Sequence, residues 1–501
     1  MLAKATGEWT IEDAAHLMRR AGFGGSPTEV AEVHALGREA AVEALLKPSE
    51  PIDAIPLPAW ADREKIVEQA KERFMSMREA NQTGGEEARR KARQVVQREN
   101  RRNGVEGQGW WFGRLMNSKA PLREKMTLFW HDHFATSLQK VKQPGLMLLQ
   151  NQLFRENAFG DFKALTHAVL HDPAMAIYLD IQTSTKKQPN ENFAREVMEL
   201  FTLGEGHYSE EDIQQAARAF TGYKVDRRKG EVTHAKRQWD GGEKTILGKK
   251  GRFDGDGVID VLFEHQAAAE YVPSKLWQYF VEDEAPPAIV KRLATTFRKN
   301  NYRVEPLLRE IFLSRAFFDS SVRRGQIKSP VQYLVQMCRE LELDGLPSGY
   351  ALAGQQQLGQ VLFLPPNVAG WDWGKGWINT NTLLTRYNIA GMITKGAVSS
   401  DGNMIDEMAK GAKGPMARFL KRGSRNWAGP DYEKITPREL RKDPEALVDD
   451  LVTRIFQADP GVKQRRTFVE YAKAKKGAVF TNHEVAELCH LMMSTPHYQL
   501  V

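Results

Sequence analysis

The chain has 501 residues, 41% hydrophobic and 27% charged, enough to bury a large core or to form two or three domain-sized units. A mean hydropathy of −0.51, with no run near the ~18 apolar residues a spanning helix requires, excludes a membrane-embedded body. The formal charge of +7 bears on association rather than fold, and does not by itself indicate nucleic-acid binding.

In chain order, the opening residues Met1-Leu-Ala-Lys lack the charged start, apolar stretch and cleavage site of an export signal. The expectation is a cytoplasmic protein, or an exported one if such a segment has been removed. Apolar residues at helical spacing then predict a first helix over Ile11 to Ala21. Gly22-Phe-Gly-Gly-Ser-Pro27 stops it and caps the next. Residues 61–107 predict long charged helices around a Gly84-Gly85 break, projecting from the body. Their basic run, 89–102, is interleaved with Glu86, Glu87 and Glu99 and reads as a solvated helix face or partner surface. Nucleic-acid binding there is the weaker alternative, because no helix-turn-helix, RNP or zinc-finger pattern accompanies the run.

From 109 to 223 the helical periodicity is strongest. Ser209-Glu-Glu-Asp212 predicts a capped helix start. Short alternating segments rich in glycine then predict a small β-hairpin insertion around 223–256. Helices return to about 337, a Gly/Trp-rich loop covers 365–379, and a Gly/Lys/Arg-rich connector after 400 leads to closing helices. The fold class is mainly α: N-terminal helices 1–60, projecting helices 61–107, a central body 108–400 with the β insertion, and closing helices 401–501. Cys338 and Cys489 lie among apolar neighbours and offer neither a disulfide framework nor a zinc site.

Two polar clusters concentrate the candidate chemistry. The first is Trp130-His-Asp-His-Phe134. On a regular helix His133 lies within the apolar face while His131 points away beside Glu124 and Thr127, so the histidines share a metal only if the helix ends or distorts near Asp132. The second is Asn190-Glu-Asn-Phe-Ala-Arg-Glu-Val-Met-Glu199. Glu191, Arg195 and Glu199 follow at i,i+4, which describes equally a surface ion-pair ladder or a face supplying metal ligands, a general base and an anion clamp. His167 and His171 are also one turn apart, with Asp172 as the adjacent acid. Trp371, Trp373 and Trp377 with Asn367 and Asn379 either line a cleft or anchor their loop.

The segments His16 to Gly24, Phe129 to Phe134, Pro189 to Gly204, Phe220-Thr-Gly222, Lys328-Ser-Pro330 and Pro366-Asn-Val-Ala-Gly-Trp371 together resemble the bacterial domain-of-unknown-function family 1800. The likeness runs in order from about residue 10 to 395, outside 60 to 105. It implies a bacterial protein, often exported, with a sulfatase- or phosphatase-like partner. The chain departs from that pattern at Gln238-Trp-Asp-Gly-Gly-Glu-Lys244, where a histidine is usual, and in showing no export segment. With both clusters on motif positions, the leading expectation is a hydrolase or oxidoreductase using a divalent metal. Its ligands would be His131, His133 and Glu191, with Glu196 and Glu199 for proton transfer, Arg195 orienting an anionic group, and Asn190, Asn192, Asn367 and Trp371 contacting substrate. The alternative is a non-catalytic binding or assembly protein whose polar clusters form a buried network. The first reading requires imidazoles and carboxylates to meet in a shielded pocket.

Overall fold

The computed structural model describes residues 1–83, 85–396, 427, 429–475, 477 and 479–501. Gly84 and most of the connector following residue 396 lie outside the described residues. Helices dominate, and their boundaries follow local chemistry. Thr10 and Asp13 form a capping box at Ile11–Ala21; Ser26 and Glu29 form one at Pro27–Leu36, with Pro27 in its first turn. Ser209 and Asp212 do the same for Glu210–Ala219. No helix among the described residues is long and apolar enough to cross a membrane.

The β insertion consists of two separate antiparallel pairs. Tyr223–Asp226 pairs with Glu231–His234, and Lys244–Ile246 with Lys249–Gly251. Gly230 and Gly248 supply left-handed backbone at the turns. Asp212 accepts the Leu247 amide at 2.7 Å, fastening the second pair to the helix Glu210–Ala219.

Two apolar cores build the body. One gathers Leu17, Trp130, Phe134, Phe162, Phe201 and Trp277; the other gathers Trp111, Leu334, Phe363, Trp371, Ile389 and Leu488. The second core recruits the closing helices: Thr380–Lys395 packs against Asn482–Met493. It also takes the end of the long helix Gly85–Asn117, whose Trp111, Phe112 and Leu115 are buried. The charged helices Arg63–Thr83 and Gly85–Asn117 pack against each other, and the second is anchored in the body by its last turns.

Candidate functional site

The helix Pro121–His133 ends at the seam between the cores, and its last turn carries the His-Asp-His segment. It stays regular there, the Phe134 amide bonding the Trp130 carbonyl at 2.8 Å. The distortion that would let both histidines serve one metal is absent, so they diverge.

His131 is fully buried in an aromatic box, its ring 5.2 Å from Trp111, 5.6 Å from Phe363 and 5.6 Å from Trp371. Burial pushes its pKa down to about 3, and neither ring nitrogen has a hydrogen-bond partner among the described residues. His133 turns the other way. Its Nε2 donates to the Phe201 carbonyl at 3.0 Å. That assigns the proton to Nε2 and leaves Nδ1 a bare acceptor. Burial, assisted by the Lys275 cation, holds this imidazole neutral, well below its ordinary pKa.

The carbonyl it takes belongs to a π-helical segment, Val197–Thr202, which continues the short helix Asn192–Glu196. The amides of Leu203 and Gly204 both turn back to Met198, so the Phe201 carbonyl is left to accept from His133. One imidazole of the first cluster does reach the second, but it meets backbone rather than carboxylate.

The acidic ladder stays on the solvent side. Arg195 forks onto both oxygens of Glu210 at 2.8 Å and lies 3.5 Å from Glu191. Its guanidinium thereby ties two helices instead of awaiting a substrate anion. Glu196 is half-buried, its pKa raised by burial and then by Glu199. Glu199 accepts the Tyr208 hydroxyl at 2.6 Å. The Asn190 side chain caps the Asn192 amide at 2.9 Å, and Asn192 is exposed. Asn367 closes its own turn, its side chain accepting from the Ala369 amide at 2.9 Å. Trp371 is buried over His131 and anchors its loop, as does Trp377; only Trp373 is exposed. His167 and His171 meet Asp256 across the helix pair at 2.8 and 3.1 Å. Asp172, the acid the sequence offered them, instead caps its own helix through the Met175 amide.

His131, His133 and Glu191 thus do not converge, and no group of three or more His, Cys, Asp or Glu among the described residues could hold a metal ion. The donor set expected for a divalent metal does not fit one.

The structure assembles a different constellation around Asp132, which the sequence marked only as the residue between two histidines. A cavity of about 80 Å³ is lined by Phe129, Asp132, His133, Lys275, Gln278, Ala369 and Trp373. Asp132 Oδ1 accepts the Trp371 amide at 2.8 Å. Burial raises its pKa to about 7 against the opposing pull of that amide and of Lys275. Lys275 is lowered by burial and partly restored by Asp132. Its ammonium lies 4.9 Å over the Tyr271 ring, whose hydroxyl is held above its ordinary pKa by burial and then by the Glu199 carboxylate. Nothing in the local sequence flags Lys275, which occupies an ordinary helix, Gln266–Phe280, two residues after Pro273.

A family model described as a protein of unknown function (DUF1800) matches residues 16–500. No curated protein and no solved structure matches the chain.

Proposed function

The chain belongs to the DUF1800 family, and from that premise we propose that it is an acid–base enzyme acting in the cavity where Asp132, Lys275 and His133 meet. One observation carries the reading. Two distant segments bring a carboxyl, an ammonium and a neutral imidazole to one hollow, with the carboxyl fixed by a backbone amide from a third. Clefts holding titratable groups displaced toward neutrality are where general acid–base chemistry is found.

In this reading Asp132 exchanges a proton through the oxygen not held by Trp371, and Lys275 supports negative charge developing beside it. His133 Nδ1 accepts a hydrogen bond from a substrate group. The hollow holds only a few non-hydrogen atoms, about the share of liquid volume of two or three waters. It therefore admits the reacting end of a larger molecule past the exposed Trp373. Hydrolysis suits this set: a carboxylate to draw a proton from water, and a cation opposite.

The test is turnover of chromogenic esters, amides and phosphoesters by the purified chain and by its Asp132→Asn and Lys275→Met variants. Loss of about 10²–10⁴-fold is the scale for removing a general acid or base. Unchanged turnover in both folded variants sinks the reading.

A second reading, a non-catalytic assembly protein, draws on the extent of buried charge away from the cavity. Glu124 is fully buried between Arg114 at 2.7 Å and Arg155 at 2.8 Å, and buried Glu340 accepts from Tyr498 at 2.6 Å. It predicts that Asp132→Asn alters neither turnover nor partner capture, whereas Glu124 variants unfold.

A further inference from the structure

Away from the Asp132 cavity, and independently of the reading placed on it, the outer part of the charged helix pair overhangs the body. Beneath it, facing the turn at Arg227 and Arg228, lies a groove of about 590 Å³. That volume is in the range of ligand clefts. Its floor is apolar, with Met77, Val96, Val141 and Ile177. Its rim carries Arg73, Arg93, Lys140, Lys142, Arg227 and Arg228, and no Asp or Glu lines it.

Three of these cations are compensated from outside the groove: Arg73 by Glu99 at 2.8 Å, Lys140 by Asp180 at 2.7 Å, and Arg228 by Asp226 at 3.8 Å. Arg93, Lys142 and Arg227 have no ion pair among the described residues, and all three are exposed. Like charges gathered without counter-charge repel one another, a cost that an anionic occupant removes. The wall is also braced. Asn100 donates to the Lys142 carbonyl at 2.8 Å, holding that residue at φ +57°. Beside it, Gln143 Nε2 is a buried donor without an acceptor among the described residues.

We infer that this groove binds an acidic peptide segment of a partner protein, with an apolar side chain on the floor and flanking carboxylates on the rim. A nucleic-acid strand is less well served. The floor is mostly aliphatic rather than a stacking platform, and the Phe74 ring in the lining is already covered by the Arg228 guanidinium, 5.5 Å away. Arginine presents a planar fork that matches carboxylates two at a time, and two of the three uncompensated cations are arginine.

The experiment is fluorescence anisotropy on the full chain with a fluorescein-labelled glutamate-rich octapeptide containing two central leucines. An all-glutamate octapeptide and an oligothymidylate of equal charge serve as comparison probes. The leucine-containing peptide is expected to bind saturably and at least tenfold more tightly than either. The triple variant Arg93→Glu, Lys142→Glu, Arg227→Glu is expected to weaken it at least tenfold, and the corresponding triple Gln variant by an intermediate factor, with unchanged helical circular dichroism in both. Three results overturn the inference: equal binding by the triple Glu variant, no saturable binding of the leucine peptide, or tighter binding of the oligothymidylate.

Discussion

The Trp371 amide donates to Asp132 Oδ1 at 2.8 Å, across 239 residues of sequence. This single bond fixes the carboxyl at the mouth of the cavity and seats the 366–371 turn on the end of the helix Pro121–His133. Its geometry depends on Gly370, which sits at φ +91°. A Cβ there would lie 2.8 Å from the Asp132 carbonyl oxygen and closer still to Oδ1.

Gly370→Ala is therefore expected to lower unfolding free energy by about 2 kcal/mol, combining left-handed strain with overlap on Asp132. Urea unfolding followed by circular dichroism measures it. A midpoint within error of the parent would show that the turn relaxes freely and that the amide contact is not fixed by the glycine.

Asp132 predicts a particular pH dependence of stability. Its folded pKa, about 7, lies above the unfolded value of about 3.9, so the folded chain holds the extra proton between those limits. Stability contributed by this site is then fully present below about pH 4, declines as pH rises toward 7, and is level above that. Asp132→Asn removes the titration. The variant should gain on the parent progressively between pH 4 and 7, by on the order of a few kcal/mol at most. Parallel unfolding curves across that range would instead place Asp132 near its ordinary pKa.

Much of this architecture was legible locally. The capping boxes at Thr10, Ser26 and Ser209 appear where the sequence placed helix starts, because a cap is decided within four residues. The clusters at 131–133 and 190–199 were legible as unusual, but not their use. Helical geometry already separated His131 from His133, and the structure keeps that geometry. Arg195 has its partner, Glu210, 15 residues on, in a helix whose packing no spacing rule supplies. Lys275 and the Trp371 amide reach Asp132 only through tertiary folding, so the cavity had no sequence signature. The expected β-hairpin insertion is present, as two separate antiparallel pairs, a number that a periodicity of two does not report.

Glu124 tests how far buried charge supports the body. Both guanidiniums that hold it, Arg114 and Arg155, are buried with it, and their pull overcomes the desolvation that would otherwise raise its pKa. Removing the carboxylate with Glu124→Ala strands two buried cations, at a cost of roughly 3–5 kcal/mol. Replacing all three with apolar residues of matching volume should recover much of that loss. Chemical denaturation of the single and triple variants decides it. A single-variant cost below about 1 kcal/mol would mean that water already solvates the cluster.

The brace between the helices Phe162–Leu170 and Gly255–Glu264 supplies a second pH signature, lost in a higher pH window than that of Asp132. His167 bonds Asp256 at 2.8 Å, His171 reaches the same carboxylate at 3.1 Å, and Lys163 and Asp260 flank them at 2.7 Å from each other. Asp256 raises the His167 pKa through its hydrogen bond, and the two histidines hold Asp256 well below the usual carboxylate range. The raised histidine stabilises fully below its unfolded value of about 6.5, an effect lost as pH rises through the folded pKa. The depressed carboxylate stabilises above about 3.9, an effect lost as pH falls through its own folded pKa. These are two views of one interaction, so the brace is complete between about pH 4 and 6.5. Its groups are substantially exposed, which limits it to on the order of 1 kcal/mol. Asp256→Asn should thus destabilise most near pH 5.5 and much less at pH 8.5. An equal deficit at both values would show that His167 remains neutral and that its contact with Asp256 is an ordinary hydrogen bond.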